Sequence, residues 1–404
     1  MMDSREKNMR PETAAHNVFP GGTKALVGFI SFLGAFTPLS TDMYMPALPS
    51  MAAALDCTPD LVTLTISLFI LVFACSMFVW GPLSDKYGRK PVLFAGIAIY
   101  IASSVLCVFS TSITMLIAMR VLQAVGGGSV GAVSMAIIKD VFRGRLMETM
   151  LAVVQTVMIV APVVAPVAGG FLLKFTSWKG IFVMLAVFGA LGLLGTFVMK
   201  ETNVLKNSEG VLGTFKRIGI VLADKKFSWL LFILSFPSAG FMSYISASSY
   251  VYVNEFGMTP QVYSLYFALV SFVSMFWPMV YIRFLRGFDK AGLFTFVFAA
   301  TLAVSFLIQL VGHANAYVFT FLCILLTASN VIRPPATTIL MSIREGDNGI
   351  TASLIGSFGL LCGGLGMLMC SLPWPDFVTA IAGINIFAVG LSTVLWLFIG
   401  RKML

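Results

Sequence analysis

Long apolar runs, each near the length that crosses a bilayer, recur twelve times along the chain between short clusters of charged and turn-forming residues. They predict membrane-crossing helices over residues 24–48, 61–83, 91–110, 113–137, 149–173, 178–199, 228–250, 261–283, 291–311, 315–341, 349–371 and 377–399. The first run is too long, and with Pro38 and Asp42 inside it too interrupted, for a cleaved leader. Connections are short except at 200–227, which divides the spans into six plus six. The expected organisation is a tail over 1–23, a six-helix bundle over 24–199, a central loop over 200–227 and a second bundle over 228–404. The first 20 residues are polar and expected to be disordered. In the central loop, Val211, Leu212, Phe215, Ile218 and Leu222 fall at helical spacing among Lys216, Arg217 and Lys225. That segment reads equally as an amphipathic helix on the membrane surface or as a flexible tether.

Composition agrees: of 404 residues, 58% are hydrophobic and 11% charged, where a soluble chain carries about 25% charged. Twelve spans consume most of the apolar residues and leave no room for a nucleotide-binding module. The net charge of +9 is a matter of placement. Twenty-two of the 26 lysines and arginines fall in the two ends and in the 2–3, 4–5, central, 8–9 and 10–11 loops, all on one side. Only Lys174 and Lys179 lie opposite, so both termini are expected in the cytoplasm of a multi-pass inner-membrane protein. The basic balance therefore argues against nucleic acid as a partner. Five cysteines (Cys75, Cys107, Cys323, Cys362, Cys370) fall in or at spans, Cys57 is in an outer loop, and His16 and His313 are the two histidines. No metal-ligand spacing results, and no metal site or bound cofactor is expected.

Three ionisable residues fall inside spans: Asp42, Arg120 and Arg333. Such groups are costly in a bilayer and mark function. Asp42 and Arg120 lie at equal depth, about 12 Å below the outer surface at 1.5 Å per residue, which permits an ion pair or a shared aqueous cavity. The pair is either a static lock or a coupling site. In the second case Asp42 exchanges a proton for a substrate contact, its proton affinity set by desolvation against positive charge, and Arg120 sets the field. Arg333, beside Pro334-Pro335 and eleven residues before Arg344, either snorkels to the inner face or serves substrate or gating.

Glycine and proline add further signals. Span 4 carries Gly126-Gly127-Gly128-Ser129-Val130-Gly131, suited to close or sliding helix contact. Span 5 carries Pro162 and Pro166 followed by Gly169-Gly170, expected to make a bend at a helix contact. The 2–3 loop, Gly81-Pro82-Leu83-Ser84-Asp85-Lys86-Tyr87-Gly88-Arg89-Lys90-Pro91, is built for more than anchoring. Asp85 is placed to neutralise a neighbouring helix amino end, and Arg89 to bridge to another acid. Asp289 follows Asp85 by 204 residues and Arg333 follows Arg120 by 213, the spacing of a two-fold repeat. The fold class is thus an all-α membrane protein of twelve transmembrane helices in two pseudo-symmetric six-helix bundles.

Residues 81–93 resemble the signature loop of the major facilitator superfamily, residues 116–127 its span 4 arginine motif, and Ala165-Pro166-Val167-Ala168-Gly169-Gly170 its antiporter motif, with alanine where glycine is usual. Thr41-Asp42-Met43-Tyr44-Met45-Pro46-Ala47-Leu48-Pro49, Gly81-Pro82-Leu83-Ser84-Asp85, Arg120-Val121-Leu122-Gln123, Ala161-Pro162 and Gly349-Ile350-Thr351-Ala352-Ser353-Leu354-Ile355-Gly356 resemble, more narrowly, the Bcr/CflA-type drug:proton antiporters. The resemblance spans the chain and is most specific in the first half. It implies alternating access and export of small amphipathic drug-like molecules in exchange for protons, driven by the proton gradient, by a monomer in the lipid bilayer. It places Asp42 and Arg120 in coupling. Gly81, Asp85, Gly88, Arg89 and Lys90 fall in the cytoplasmic gate, and Pro162, Pro166, Gly169 and Gly170 in the span 5 bend. Met77 stands where the family often has glutamine, and Arg333 is a departure that disfavours simple cationic drugs. Candidates for the cavity wall are Tyr44, Gln123, Gln155, Tyr244, Tyr250 and Asn330, with Arg333.

Two rivals remain. A symporter or facilitator of a single metabolite fits the same spans. An enzyme has one foothold, Gly127-Gly128-Ser129-Val130-Gly131, which satisfies G-x-S-x-G. A nucleophilic serine needs a nearby base, and His313 is expected in an outer turn of the other half, so no enzyme is expected.

Overall fold

A computed structural model describes residues 18–142, 144–203, 210–343 and 348–403, and all their regular structure is helical. The expected disordered tail and Arg344 fall outside these residues almost entirely. Twelve helices are long and apolar enough to cross a membrane. Spans 1–6 are Gly22–Ala54, Pro59–Tyr87, Arg89–Val108, Ile113–Val141, Thr149–Leu172 and Trp178–Val198. Spans 7–12 are Lys225–Glu255, Pro260–Leu285, Lys290–Val311, Ala316–Ile343, Thr351–Met369 and Phe377–Lys402. Every expected run is present, its ends moved by a turn or two at most.

Two bundles of six result, and span 4 lies at the centre of the first. Its glycine run is what allows this. A methyl group at Gly126 would sit 2.6 Å from the Gly96 carbonyl oxygen and 2.6 Å from the Tyr100 nitrogen of span 3. One at Gly128 would collide with the Ser76 hydroxyl of span 2, and Trp80 of span 2 donates to the Val125 carbonyl at 2.7 Å. The run therefore makes close contact on two sides, holding span 4 between spans 2 and 3. Ser129 is buried there, its hydroxyl donating to the Gly126 carbonyl at 2.7 Å. That is a packing role, with no base beside it among the described residues.

Spans 6 and 9 show where lipid goes. Their exposed side chains include Val187, Leu191, Leu194 and Phe197, and Phe296, Phe306, Leu307 and Leu310. An apolar surface of this kind costs nothing against acyl chains.

Spans 1, 7, 8 and 10 are broken helices, as in transporters whose sites lie at interrupted spans. Span 1 runs as helix over Gly22–Gly34 and Phe36–Asp42, tightens at Met45–Ala47 and resumes at Leu48–Ala54. Pro46 and Pro49 remove the N–H donors that would carry the helix through. Span 10 runs over Ala316–Thr327, tightens at Ala328–Ile332 and restarts at Arg333–Ile343. Pro334 and Pro335 fall in the first turn of the restart, where a missing N–H is tolerated.

The bundles are fastened at the end away from the described termini. Tyr250 donates to the Pro59 carbonyl at 3.3 Å, Gln261 to the Gly170 carbonyl at 3.1 Å, and the Tyr263 hydroxyl contacts Met45 Sδ at 3.9 Å. One apolar core runs from Leu26, Phe69 and Phe182 across this seam to Tyr244, Tyr263 and Phe319. A second core, around Phe227, Phe294 and Trp396, fills the basic end of the second bundle. The central loop contains a helix, Gly210–Leu222, which decides in favour of helix over tether.

Candidate functional site

Arg120 is fully buried, and no carboxylate lies within ion-pair distance among the described residues. The static pair with Asp42 is absent. Arg120 Nη1 donates to Gln123 Oε1 at 2.5 Å and Nη2 to the Ser40 carbonyl at 3.1 Å. Its guanidinium lies over the rings of Phe69 (4.2 Å to the centroid), Tyr44 (4.9 Å) and Phe182 (5.8 Å). Gln123 passes the link on, donating to Ser104 Oγ at 2.6 Å, while the Ser40 and Tyr100 hydroxyls pair at 2.6 Å. Tyr44 is held by Thr65. Spans 1, 2, 3, 4 and 6 thus converge on one guanidinium whose Nε has no acceptor.

Asp42 ends the Phe36–Asp42 helical segment, two residues beyond Ser40. Ser40 and Tyr44, four apart, meet Arg120 through the Ser40 carbonyl and the Tyr44 ring, and Asp42, two residues from each, lies off the face they share. Asp42 is 6% exposed, accepts a hydrogen bond from Thr41 Oγ1 at 2.8 Å, and lies within electrostatic reach of Tyr263 in the second bundle. It is the one carboxylate among the described residues that is far from a span end.

Span 5 presses on this region. It stays helical through Pro162 and Pro166, with Pro166, Gly169 and Gly170 on its buried face. Gly169 lies against the Met43 carbonyl, next to Asp42, and Gly170 against Ser264 of span 8. The expected bend motif is a three-helix contact that joins span 1 to the seam.

The 2–3 loop forms a second polar centre. Gly88 takes φ +110°, a conformation reserved for glycine, and starts span 3 at Arg89. Arg89 pairs with Asp85 at 2.5 Å and with Asp140 of span 4 at 2.8 Å. Bridging to another acid is thus realised, with Asp140. The helix amino end is not neutralised by Asp85, which is engaged with Arg89. Glu201, after span 6, does this instead, accepting from the backbone N–H groups of Arg89 at 2.8 Å and Lys90 at 3.1 Å. Lys90 Nζ caps span 6 through the Phe197 carbonyl at 2.7 Å, and Asn203 caps span 2 through the Asp85 carbonyl at 2.9 Å. Gly81 is open, with no atom within 4 Å of where a methyl would stand. Asp140, Glu201 and Asn203 are not legible as partners in the sequence, because they come from segments 51, 112 and 118 residues from the groups they meet and carry little topological signal. In the second bundle Asp289 caps span 9 through Gly292 N at 2.7 Å. Arg283 and Arg286 have no ion pair among the described residues, so the two-fold repeat is not carried into this chemistry.

The cavity candidates separate. Tyr44 and Gln123 are sealed around Arg120. Tyr250 sits in the seam, stacked on Phe377 at 4.7 Å. Tyr244 is buried with its hydroxyl unpartnered, stacked on Phe267 at 5.9 Å. Asn330 donates to Ser274 Oγ at 2.9 Å, tying span 10 to span 8. The Gln155 side chain lies outside the described residues. Arg333 is the exposed member of the set.

At the end away from the termini, His313, Asp376 and Glu255 come together with their ligand-type atoms within 4.8 Å of one another, a grouping across three spans that residue spacing cannot show. His313 Nε2 meets Asp376 Oδ1 at 3.0 Å. Partial burial works against the Asp376 charge, but donors from Thr379 and the His313 ring outweigh it and hold the carboxyl below its usual range.

The profile of the Major Facilitator Superfamily matches residues 30–369, and the chain belongs to that family, in keeping with its interrupted spans, three ionisable residues inside spans and braced 2–3 loop. It is 31% identical over 351 residues to the uncharacterized MFS-type transporter YdgK of Bacillus subtilis, covering 84% of this chain and 86% of that one. It is 28% identical over 283 residues to the bicyclomycin resistance protein homolog of Haemophilus influenzae (69% and 70% covered). It is 29% identical over 218 residues to the multidrug transporter MdfA of Yersinia pestis (54% and 53% covered). These relatives agree with the narrower resemblance to the Bcr/CflA group. Among solved structures, a peptide transporter POT superposes with a TM-score of 0.75 at 13% identity over 98% of this chain and 99% of that one. A D-xylose-proton symporter gives 0.69 at 12% over 91% and 96%, and both show the shared fold.

Proposed function

We propose that this protein is a secondary active efflux transporter of the cytoplasmic membrane that exchanges amphipathic, drug-like molecules for protons by alternating access. The concentration of lysine and arginine at the end that carries the termini supports a cytoplasmic location for that end. The fastened seam then lies outside, and the state described is closed outward. The names of the resistance and multidrug relatives support the substrate class.

The observation that carries the reading is Asp42, a mid-span carboxylate with no cationic partner within ion-pair distance among the described residues. A carboxylate locked to Arg120 would be held in one charge state. One held only by Thr41 is free to exchange its proton when water reaches it. Its position joins that event to motion, because Met43 beside it is packed on Gly169 and the span 5–span 8 seam. A change of charge at Asp42 alters the balance at the contact that closes the outer face. Arg120 keeps this part of the bundle positive and its segment of span 1 in register.

The test is an imposed pH gradient across vesicles containing the purified protein. The native protein is expected to accumulate a dye substrate and release protons in step with it, and Asp42→Asn to do neither while still equilibrating the dye. Gradient-driven uptake by Asp42→Asn equal to that of the native protein would remove Asp42 from coupling. Co-movement of dye and protons in one direction would favour the symporter.

A further inference from the structure

The exposed side chains of the Arg333–Ile343 segment are Arg333, Thr337, Thr338 and Ser342, all polar. The opposite face, Pro335, Ala336, Ile339 and Leu340, is buried. On spans 6 and 9 exposure means apolar side chains against lipid; a polar exposed face within a span therefore looks onto water held inside the protein. Arg333 opens this face ten residues before the span ends at Ile343, with Thr337 and Thr338 exposed beside it, as on the wall of an internal crevice. Snorkelling along lipid would not place it there.

No carboxylate pairs with Arg333 among the described residues. The other interior charges are closed off: Arg120 is fully buried under three rings and Asp42 is 6% exposed. Among the described residues, the one open charge that a ligand entering the crevice meets in mid-span is positive. The Arg333 N–H is already bonded to the Asn330 carbonyl. The two following prolines supply no N–H, which leaves the guanidinium as the donor.

We propose that Arg333 is a specificity-determining residue that binds the anionic group of an amphipathic organic anion (a carboxylate, sulfonate or phosphonate on an apolar body), with Thr337 and Thr338 beside it on the open face. This rests on the efflux reading above for the direction of transport. The binding chemistry stands apart from it. A guanidinium offers paired donors to an oxyanion, and a charge-assisted contact in a partly desolvated site is far stronger than on a surface. A simple cation meets repulsion from it, and among the described residues no mid-span carboxylate is open beside it.

Equilibrium binding without any gradient separates the two readings. Anilinonaphthalene sulfonate and phenylnaphthylamine share one aromatic body and differ in the sulfonate. Their binding to the native protein and to Arg333→Gln and Arg333→Lys is measured in nanodiscs of neutral phosphatidylcholine, with empty discs subtracted. The native protein is expected to bind the sulfonate about tenfold tighter than the amine. Arg333→Gln is expected to abolish that difference without changing the affinity for the amine, and Arg333→Lys to keep part of it. Equal affinities in the native protein, or an undiminished difference in Arg333→Gln, would overturn the proposal. If Arg333→Gln does not fold, the native ratio and its weakening by added salt decide. Tight sulfonate binding with no proton-driven transport would keep the anion site and remove the antiport reading.

Discussion

Gly169 in span 5 faces the carbonyl of Met43 in span 1 with no room for a side chain between them. The contact sets the residue after Asp42 directly on the helix that also meets span 8 through Gly170 and Ser264. A proton-binding position, a helix break and the outer seam are thereby one packed unit.

Gly169→Ala should disturb that unit. Overpacking of a closed contact costs about 1–3 kcal/mol, which predicts a lower melting temperature in detergent and reduced gradient-driven transport. Gly28→Ala, where no atom lies within 4 Å of the added methyl, serves as the control and should behave as native. Equal behaviour of the two variants would show that the span 1–span 5 contact relaxes freely.

Arg120→Lys tests whether the fork or the charge matters. An ammonium cannot reach both Gln123 Oε1 and the Ser40 carbonyl in the plane that the three rings impose. At least one buried acceptor loses its donor, at about 1–3 kcal/mol. Thermal unfolding should show the loss, and transport should fall with it. A native-like lysine variant would reduce Arg120 to a source of field.

The brace under the 2–3 loop is separable into pairs. Arg89 and Asp140 are largely buried at 2.8 Å, so a double-mutant cycle with Arg89→Gln and Asp140→Asn should give a coupling of about 1–3 kcal/mol. Glu201→Ala removes the acceptor for four backbone N–H groups, those of Arg89, Lys90, Thr202 and Asn203, and should destabilise more than Glu201→Gln. Additive effects at Arg89 and Asp140 would mean that the pair is not a working contact.

Asp376 governs an acid limb. Its carboxyl titrates below the ordinary 3.8 in the folded chain. The stabilisation is therefore present above that value and is lost as pH falls through the lower folded value. Melting temperature should decline below about pH 4, and Asp376→Asn, which still caps a helix but has no charge to lose, should start from a lower value at neutral pH and flatten that decline. An unaltered acid profile in the variant would assign the decline to other carboxylates.

Everything that depends on how far an apolar run extends was legible along the chain. Twelve spans, their order, their loop lengths and the interior placement of Asp42, Arg120 and Arg333 follow from the need to keep backbone hydrogen bonds and apolar side chains in a bilayer. That need acts locally, on consecutive residues. The motif residues of the 2–3 loop and of span 5 were likewise visible, because glycine, proline and charge are conspicuous against an apolar background.

Which group each of them meets was decided only in three dimensions. Depth placed Asp42 and Arg120 at one level, but rotation about span 1 gave Arg120 the Ser40 carbonyl and left Asp42 to Thr41. Glu201 and Asp140 reach Arg89 from spans over fifty residues away, and Glu255, His313 and Asp376 meet across spans 7, 9 and 12. The face that Arg333 presents depends on what covers the rest of span 10. Helix rotation and bundle packing are set by the sum of many small side-chain contacts between distant segments, and no single stretch of sequence contains that sum.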